Sequence, residues 1–450
     1  MAVKVYTTCY ENGKALTSQK EGGFVCDSEN QETNLVNIYP EIKYQDISGF
    51  GGAITEAVGA TLLELPQNTA DDVIKSYFSH EGLGFRFIRT HIDSCDFALR
   101  NYSAVEDESD TEFSNFSLKR DEKYIIPWIK KAYEAAGCQF PVMLSPWSPP
   151  AFMKTNGEKN NGGKLKKEFY PAWAKYFCRY IKEYRNKGIN VSMISIQNEP
   201  NAEQTWDSCT YTPNEEKEFL RDFLYPELVN SGLGDIEIYI WDHNKERLYE
   251  RTCAILDSET EHMVSGACFH WYSGDHFDSL RLVRERYPKL KLLFSEGCIE
   301  YSVYKTDNQL VNSDKYCHDI IGNLCAGMNT FIDWNIALNS DGGPNHVNNL
   351  CEAPIICDIK NKTWEKKLSF YYLGHFSRFI QPTAKRIGTS SFSTMIEVVG
   401  VENPDGSIAV VLYNRSNKEE EVFLRLNEKL LRLELPKSGI ATAVISTAKG

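Results

Sequence analysis

Two glutamates stand near the ends of apolar runs in the sequence, and as a pair they suit acid and nucleophile chemistry. The run VSMISIQNEP (191–200) closes on Asn198 and Glu199, and the run KLLFSEGC (291–298) carries Glu296. Burying a carboxylate is costly unless it is paired or hydrogen-bonded, and either glutamate alone fits a helix cap or a salt bridge equally well. Together they can divide the work of glycoside cleavage, because one protonates the glycosidic oxygen while the other attacks the anomeric carbon or activates water.

The segments that must position these residues alternate between short β-rich runs and longer amphipathic stretches. One such stretch, AWAKYFCRYIKEYRNKG (172–188), has apolar residues at three- and four-residue spacing and ends at Gly188, where a helix should stop. The eight β-rich runs cover residues 46–55, 84–93, 141–147, 191–200, 236–244, 264–272, 291–298 and 329–338. Eight strands alternating with helices predict an α/β fold, a (β/α)8 TIM barrel, over residues 46–378.

Polar and aromatic residues close several of the predicted strands. The fourth, sixth, seventh and eighth strands end in Asn198-Glu199, His270-Trp271-Tyr272, Ser295-Glu296 and Asp333-Trp334-Asn335. In barrels of this type the carboxyl ends of the strands carry the chemistry, so both glutamates point into the same mouth. That placement favours catalysis over two independent structural roles.

The two ends of the chain differ from the central region. Residues 1–45 and 379–450 contain alternating or β-rich runs without a helical period. In the second segment, TMIEVVGVENPDGSIAVVLYN has a Pro-Asp-Gly turn between two apolar strands. We therefore predict a smaller antiparallel, sandwich-like β-domain built from both chain termini.

The charge balance and the apolar runs exclude several classes of partner. With 49 Lys and Arg against 62 Asp and Glu, the formal net charge is −13, which opposes binding to nucleic acid and to anionic membrane surfaces. No apolar run approaches the roughly 18 residues of a membrane span, and MAVKVYTTCYENGK lacks the apolar core and cleavage site of a secretory signal. We expect a cytoplasmic protein without a membrane span, with export by another route left open.

The cysteines and histidines indicate neither a disulfide framework nor a metal site. Thirteen cysteines are spread across the chain, many inside apolar runs, without a Cys-x-x-Cys pair, so we expect free structural thiols. The nine histidines lack spacings suited to zinc, and we expect His243, His262 and His276 to be surface or packing residues. A dinucleotide loop is also excluded, because Ile54 replaces the third glycine of GFGGAI, and no Gly-x-Ser-x-Gly motif supports serine catalysis.

A series of longer motifs runs in order from about residue 48 to residue 380: SGFGGAITEA, SCDF, SPWSPPAFMKTNG, QNEP, FHWY, LLFSEGC, DWNIALNSDGGPN and LGHFSRFI. These motifs resemble glycoside hydrolase family 30, close to its bacterial and lysosomal glucosylceramidase (acid β-glucosidase) members, over essentially the whole predicted barrel. The resemblance implies a retaining mechanism on a (β/α)8 barrel with a β-rich side domain. It also implies a carbohydrate or glycolipid substrate and no metal or organic cofactor.

The resemblance carries roles onto the matching residues. Glu199 in QNEP matches the family's general acid/base, and Glu296 in FSEGC matches its nucleophile. Asn198 matches the residue that hydrogen-bonds the sugar 2-hydroxyl, a contact expected to strengthen in the transition state. Tyr272 and His270 match residues that orient the surroundings of the nucleophile.

Four further residues match the binding groups around this pair. Arg89 matches a basic residue whose charge would hold Glu296 ionised. Asp96, Trp147 and Trp334 match the groups that hold the sugar hydroxyls and form the aromatic wall and floor of the subsite. The alternatives are core packing for the tryptophans and a loop cap for Asp96.

The substrate depends on the entrance of the site. Asn345 in GGPNH matches a position near the entrance, whereas His346 stands where the lysosomal members have Trp, and a less apolar rim would suit a second sugar. We expect a β-glucosidase with a glucosylceramide-type substrate. A β-1,6-glucanase or another oligosaccharide β-glycosidase is the alternative.

A carbohydrate-binding or scaffolding protein on a degenerate barrel is the hypothesis from another class. It predicts the loss of at least one of the two carboxylates, and both Glu199 and Glu296 are present. A measured lack of turnover with several β-glycosides would revive it.

Overall fold

The computed structural model describes residues 2–10, 14–110, 112–304 and 308–446. Its strands are β1 (Ala2–Cys9), β2 (Lys14–Gly23), β3 (Val25–Cys26), β4 (Leu35–Ile47), β5 (Gly49–Ala53), β6 (Phe87–Ile92), β7 (Val142–Pro146), β8 (Val191–Ser195), β9 (Glu237–Asn244), β10 (Gly266–His270), β11 (Lys291–Glu296), β12 (Ile299–Glu300), β13 (Thr330–Asn335), β14 (Ala337–Asn339), β15 (Cys351–Glu352), β16 (Ile355–Asp358), β17 (Thr363–Lys366), β18 (Ala384–Ser391), β19 (Ile396–Glu402), β20 (Ile408–Asn414), β21 (Glu420–Leu426), β22 (Lys429–Leu435) and β23 (Ile440–Ser446). Its α-helices are α1 (Glu56–Leu63), α2 (Gln67–Phe78), α3 (Lys119–Tyr124), α4 (Ile126–Ala136), α5 (Tyr170–Asn186), α6 (Pro213–Phe219), α7 (Tyr225–Asn230), α8 (Leu248–Ile255), α9 (Phe277–Arg286), α10 (Gln309–Cys325) and α11 (Leu368–Ser377). Within these ranges, none of the helices combines the length and the apolar character that crossing a membrane requires.

Eight strands close into a parallel barrel in which each strand lies beside its successor along the chain. Their order is β5, β6, β7, β8, β9, β10, β11 and β13, and the ring closes between β13 and β5. Each of them falls inside one of the eight predicted β-rich runs, and at least one helix follows each strand in the sequence. The predicted (β/α)8 barrel is therefore confirmed.

An apolar layer fills the centre of the barrel. Seven buried residues, each from a different strand, form it: Phe87, Met143, Met193, Tyr239, Cys268, Leu293 and Ile332. The eighth strand, β5, places Gly51 beside Phe87, and a Cβ at Gly51 would lie 2.2 Å from the Phe87 carbonyl oxygen. The barrel is a packed core at this level, and burial of each large side chain contributes about 1.5–3 kcal/mol.

A ten-stranded sheet contains strands from both chain termini. Its order is β2-β1-β23-β20-β19-β18-β4-β21-β22-β3, which confirms the predicted β-domain. The Pro-Asp-Gly segment turns as predicted between β19 and β20, where the Asn403 N–H donates to the Ser407 carbonyl and Gly406 has a φ of 83°. One pairing departs from an antiparallel sheet, because β4 and β21 are parallel. Parallel neighbours need a long connection, and these two strands lie far apart in the sequence.

The chain divides into two compact units. One comprises Met1–Phe50, Lys305–Thr330 and Lys366–Gly450, and the other comprises Gly51–Tyr304 and Phe331–Glu365. The second unit contains every residue that the sequence indicates for the site. The domain boundaries predicted after residues 45 and 378 stay a prediction.

Candidate active site

A polar layer lies above the apolar layer, toward the carboxyl ends of the strands. Side chains of a strand alternate with a period of two, so the next inward position lies two residues further along each strand. On five strands that position holds Arg89, Ser145, Ser195, His270 and Ser295. All five are fully buried. These strands are thus apolar in the lower layer and polar at their carboxyl ends. The polar side chains face one another inside the barrel.

Two bulges add a carboxylate to this layer. The pairing of β10 with its neighbours skips Asp242 in β9 and Ser295 in β11. Asp242 has a left-handed φ of 55°, and its Oδ1 accepts a hydrogen bond from Ser295 Oγ at 2.5 Å. A non-glycine residue in this conformation costs about 1–3 kcal/mol, and such strain persists at sites where the surrounding structure holds it. The bulge in β9 re-aims Asp242 into the barrel, out of the regular two-residue period that starts from Tyr239.

Arg89 connects the acidic groups of the layer. Its Nη1 donates to Glu296 Oε2 at 2.7 Å, and its Nη2 donates to Asp242 Oδ2 at 2.9 Å and to Asn198 Oδ1 at 2.8 Å. Its Nε donates to Ser145 Oγ at 3.1 Å. A buried guanidinium with this many partners fixes the position of each of them.

The QNEP segment is held between the ends of two neighbouring strands. The Asn198 N–H donates to the Pro146 carbonyl at 2.8 Å, and the Glu199 N–H donates to the Asp242 carbonyl at 2.9 Å. Glu199 has a left-handed φ of 48°, and it lines the cavity at this end of the barrel. The chain therefore leaves β8 in a left-handed turn that presents a carboxylate at the mouth.

Hydrogen bonds hold the two glutamates close together in the lining of one cavity. His270 contacts Glu199 Oε1 through Nδ1 and Asp242 Oδ1 through Nε2, both at 3.1 Å. The Tyr272 hydroxyl donates to Glu296 Oε1 at 3.1 Å. One oxygen of each glutamate and a ring nitrogen of His270 lie within 4.8 Å of one another. Tyr272 therefore contacts the candidate nucleophile directly, whereas His270 hydrogen-bonds the candidate acid.

The polar layer carries a defined set of charges. Burial lowers the pKa of His270, but the charge of Glu296 and the hydrogen bonds to Asp242 and Glu199 outweigh it and raise this pKa to about 9. Burial raises the pKa of Asp242, but the charges of Arg89 and His270 hold it far below its usual range. At neutral pH the layer thus contains the cations of Arg89 and His270 and the carboxylate of Asp242. One negative charge shared by Glu199 and Glu296 therefore makes the layer electrically neutral.

The two glutamates differ in their environment. Burial raises the pKa of Glu296 above its ordinary value, although His270 and Arg89 oppose the rise. Burial also raises the pKa of Glu199, but the charge of His243 and the hydrogen bond from His270 outweigh it and leave this pKa below its ordinary value. The charge of Arg89 therefore lowers the pKa of Glu296, as predicted, but burial raises this pKa by more.

A cavity of about 130 Å³ opens above the two glutamates. Seven predicted site residues line it: Asp96, Trp147, Asn198, Glu199, Tyr272, Glu296 and Trp334. Trp147 and Trp334 stack with ring centroids 5.2 Å apart. Burial and the charge of Glu296 raise the pKa of Asp96 to about 8, so this carboxyl is protonated at neutral pH.

The other three predicted residues lie behind or beside the cavity. Arg89 and His270 belong to the buried layer below it. The Asn345 side chain braces its own loop, because Oδ1 accepts from the Val347 and Asn349 N–H groups. His346 is not at the rim: its backbone N–H and its Nδ1 both contact the Asp96 carbonyl, and its Nε2 lies 3.5 Å from Asp207 Oδ2.

The sequence reasoning missed several residues of the site. Asp242 and His243 close the fifth predicted strand, so the rule that selected the other strand ends also applies to them. His243 packs against Trp241, with ring centroids 5.0 Å apart, in line with the expected packing role, but it also lines the cavity with Nε2 3.8 Å from Glu199 Oε1. Asn349 donates to Asp96 Oδ2 at 3.0 Å and lines the cavity from a loop that gave no local signal.

Glu199, His270 and Glu296 are also close enough to share a metal ion. Both ring nitrogens of His270 are already engaged by carboxylates, and Arg89 and Tyr272 occupy the two oxygens of Glu296. A metal would have to displace these partners and compete with two cations. The donor set fits a proton-transfer site better than a metal centre.

Replacing Asp242 with Asn is expected to lower the free energy of unfolding by about 3–5 kcal/mol, because the change leaves the buried cations of Arg89 and His270 without their shared anion. Urea unfolding measures the loss. The matched control is Asp235→Asn, which breaks a 2.7 Å pair with Arg185 at the surface and is expected to cost about 0–1 kcal/mol. Equal losses in the two variants would contradict the role of Asp242.

Stability is also expected to fall as the pH rises from about 6.5 to about 9. The pKa of His270 is about 9 in the folded protein against an ordinary value of 6.5. In this window the folded state binds a proton that the unfolded chain has lost, so the stabilisation is complete below the lower value and disappears through the upper one. Urea unfolding across the window tests this, and His270→Gln should flatten the slope. An unchanged slope would assign the effect to other groups, such as Asp96.

Comparison with known proteins matches both parts of the chain. The model of the glycosyl hydrolase family 30 TIM-barrel domain covers residues 47–380, and that of the family 30 beta sandwich domain covers residues 384–443. The chain is 34% identical over 402 residues to lysosomal acid glucosylceramidase of Mus musculus, which is 86% of this chain and 78% of that protein.

Solved structures give the same result. The crystal structure of SrfJ from Salmonella typhimurium superimposes with a TM-score of 0.96 at 39% identity, over 99% of this chain and 100% of that one. The endo-beta1,6-glucanase BT3312 superimposes with a TM-score of 0.88 at 25% identity, over 99% of this chain and 100% of that one.

Proposed function

Because this chain belongs to glycoside hydrolase family 30 and is a glycosidase, we propose that it cleaves β-glucosidic bonds with retention of configuration, with Glu296 as nucleophile and Glu199 as acid/base. The observation that carries the proposal is the approach of an oxygen of Glu199 to within 4.8 Å of an oxygen of Glu296. Carboxyl groups about 5–5.5 Å apart are typical of retaining enzymes, whereas inverting enzymes keep about 6.5–9.5 Å for a water.

The reaction then proceeds in two displacements. Glu296 attacks the anomeric carbon while Glu199 gives a proton to the departing oxygen, which leaves a glycosyl group bound to Glu296. Glu199 next takes a proton from water, and that water displaces Glu296. The Asn198 amide oxygen is occupied by Arg89, so its NH2 group faces the cavity free to donate to the sugar 2-hydroxyl.

Before the reaction, His270 holds the proton that Glu199 later gives to the departing oxygen. The pKa values put a proton on His270 in the empty cavity, with Nδ1 3.1 Å from Glu199 Oε1. A bound sugar displaces water from Glu199, which disfavours the ion pair and moves the shared proton onto the carboxyl. The same transfer removes one positive and one negative charge beside Glu296, and the cation of Arg89, 2.7 Å from Glu296 Oε2, remains to favour its ionised form.

The polar end of the cavity suits a single glucose unit. Asp96 is protonated near neutral pH and can both donate and accept hydrogen bonds with sugar hydroxyls. Trp147 and Trp334 provide the aromatic faces against which the sugar ring packs.

A second cavity supports an apolar leaving group. It lies between residues 101–106 and 150–160, has a volume of about 670 Å³, and is lined by Tyr102, Val105 and Phe152 beside polar residues such as Glu106 and Lys159. Asn101 in its lining donates to Asp207, which follows the sugar-cavity residue Trp206 in the sequence. We infer a glucosylceramide-type substrate, which the higher identity to the glucosylceramidase also favours.

Glucose release from glucosylceramide in detergent micelles, measured beside release from a β-1,6-glucan, tests the substrate. Hydrolysis of the lipid and its loss in Glu296→Gln would support the proposal, and Phe152→Ser should then raise the KM for the lipid while leaving that for a small aryl β-glucoside unchanged. Hydrolysis of the glucan alone would establish the alternative, which the similarity to the glucanase BT3312 favours.

A further inference from the structure

Two cysteines touch each other in the wall of the sugar cavity. Cys298 follows Glu296 by two residues and directly precedes β12. Cys351 lies in β15, which pairs with β12. Their sulfurs are 3.2 Å apart, and both residues line the cavity. All thirteen cysteines of the chain lie in described residues and are free, as expected from the sequence.

Each of the two cysteines lies near a residue that hydrogen-bonds a functional carboxyl group of the site. Cys298 Sγ is 3.4 Å from the Tyr272 hydroxyl, which donates to Glu296. Cys351 stands two residues after Asn349, whose amide holds Asp96. A covalent change at the two sulfurs would therefore move partners of both the nucleophile and the sugar-binding carboxyl.

We propose that Cys298 and Cys351 form a modification site that a peroxide converts to a disulfide, and that this disulfide reversibly stops glycoside hydrolysis. One thiolate attacks an oxygen of the peroxide, so that an S–O bond forms, the O–O bond breaks and a sulfenic acid results, while the departing hydroxide takes up the proton that the thiol had released and becomes water. The second thiolate attacks that sulfur, so that the S–S bond forms and the S–O bond breaks, and the departing hydroxide becomes a second water with the proton released by the second thiol. Overall, two thiols lose two electrons and two protons to one hydrogen peroxide molecule.

The surroundings permit this reaction and determine its speed. A peroxide is small and uncharged, and the cavity leads it to both sulfurs. The hydrogen bond to Cys351 and burial raise the pKa of Cys298. The hydrogen bond from Cys298 lowers the pKa of Cys351, but burial and the nearby carboxylates together raise it above its ordinary value. Since the thiolate is the reactive form, we expect slow oxidation at neutral pH and faster oxidation in alkaline solution.

The geometry also explains the loss of activity. An S–S bond is about 2.05 Å long, so the sulfurs must approach by about 1 Å. Displacement of positioning groups by about 1 Å can cost about 10²-fold in rate. The groups that would move are the Tyr272 hydroxyl, which donates to Glu296, and the loop that carries Asn349.

The test treats the full chain with hydrogen peroxide and maps its peptides without reduction. We expect one cross-linked pair that contains Cys298 and Cys351, a fall of about tenfold or more in aryl β-glucosidase activity, and recovery with dithiothreitol. The peptide map does not depend on turnover, so the failure of the proposed function, seen as no activity before treatment, is distinct from failure of the disulfide.

Two variants serve as controls, each compared with its own untreated activity. Cys351→Val removes one sulfur and should keep its activity through peroxide treatment, whereas Cys138→Ser, which removes an exposed thiol elsewhere, should be inactivated like the unaltered protein. Absence of the cross-link, or equal inactivation of Cys351→Val, would overturn the proposal.

A second measurement needs no variant. Phenylarsine oxide bridges two neighbouring thiols and releases one water, so the unaltered protein should bind one phenylarsenic group across Cys298 and Cys351. Failure to bind at these two residues would count against the site even if Cys351→Val does not fold.

Discussion

Replacing Glu296 with Gln is expected to lower kcat for aryl β-glucosides by about 10⁴-fold or more, because the amide cannot form the glycosyl-enzyme. Gln keeps the shape of the side chain and one oxygen to accept from Arg89 or Tyr272, so the sugar cavity should persist. Initial rates per folded molecule, with the folded fraction measured by near-ultraviolet circular dichroism, give the effect.

The matched control is Glu216→Gln. Glu216 is also a buried carboxylate paired with an arginine, at 2.8 Å from Arg251, but it does not line the cavity. We expect this variant to lose stability and to keep its kcat per folded molecule. An equal loss of kcat in both variants would mean that the effect of Glu296→Gln comes from a broken ion pair and not from a missing nucleophile.

The smaller variant Glu296→Gly identifies the face of attack. With a dinitrophenyl β-glucoside and added azide, the anion can take the place of the missing carboxylate and displace the leaving group from that side. The expected product is the α-glucosyl azide. A β-product would assign the nucleophile to the other carboxylate.

Replacing Glu199 with Gln is expected to lower kcat/KM by about 10³-fold for substrates with poor leaving groups, since a general acid contributes about 10²–10⁴-fold. With a dinitrophenyl leaving group, which departs without a proton, the first step should be nearly unaffected. The second step then becomes slow, and a burst of dinitrophenol followed by a slow steady state is the expected signature. A uniform loss across leaving groups would contradict the acid/base role.

Glu203→Gln is the control for this variant, because Glu203 is an exposed glutamate on the same segment that does not line the cavity. It should behave like the unaltered protein with every leaving group. In Glu199→Ala, azide attacks the glycosyl-enzyme from the face that water normally uses, so the product should be the β-glucosyl azide. Opposite anomers from the two carboxylate variants would separate their roles.

The barrel was predictable because the relevant signals are local. A buried parallel strand is a short apolar run, and a helix between two strands shows a three- to four-residue apolar spacing. The parallel pairing of β4 with β21 was not predictable, because it joins segments distant in the sequence and depends on which sheet edge is free after the other strands have paired.

Much of the site was predictable for the same reason. In a closed parallel barrel, the ends of all strands meet at one rim, so polar residues at four strand ends had to be neighbours. Applying that rule to the fifth strand would also have found Asp242 and His243. The bulge at Asp242 carries no such signal, since it depends on the register between β9 and β10.

The sequence by itself determined the barrel, the terminal β-domain and the meeting of Glu199 with Glu296 at one rim, because strand periodicity and the geometry of a closed barrel follow from local pattern. Only the tertiary structure decided the partners of those groups. Asp242 turns inward through a bulge, Asn349 reaches Asp96 from a distant loop, His346 lies beneath Asp96, and Cys298 meets Cys351 across a short strand pair. These contacts join residues remote in sequence, and their distances and pKa shifts depend on burial and register, which no local pattern specifies.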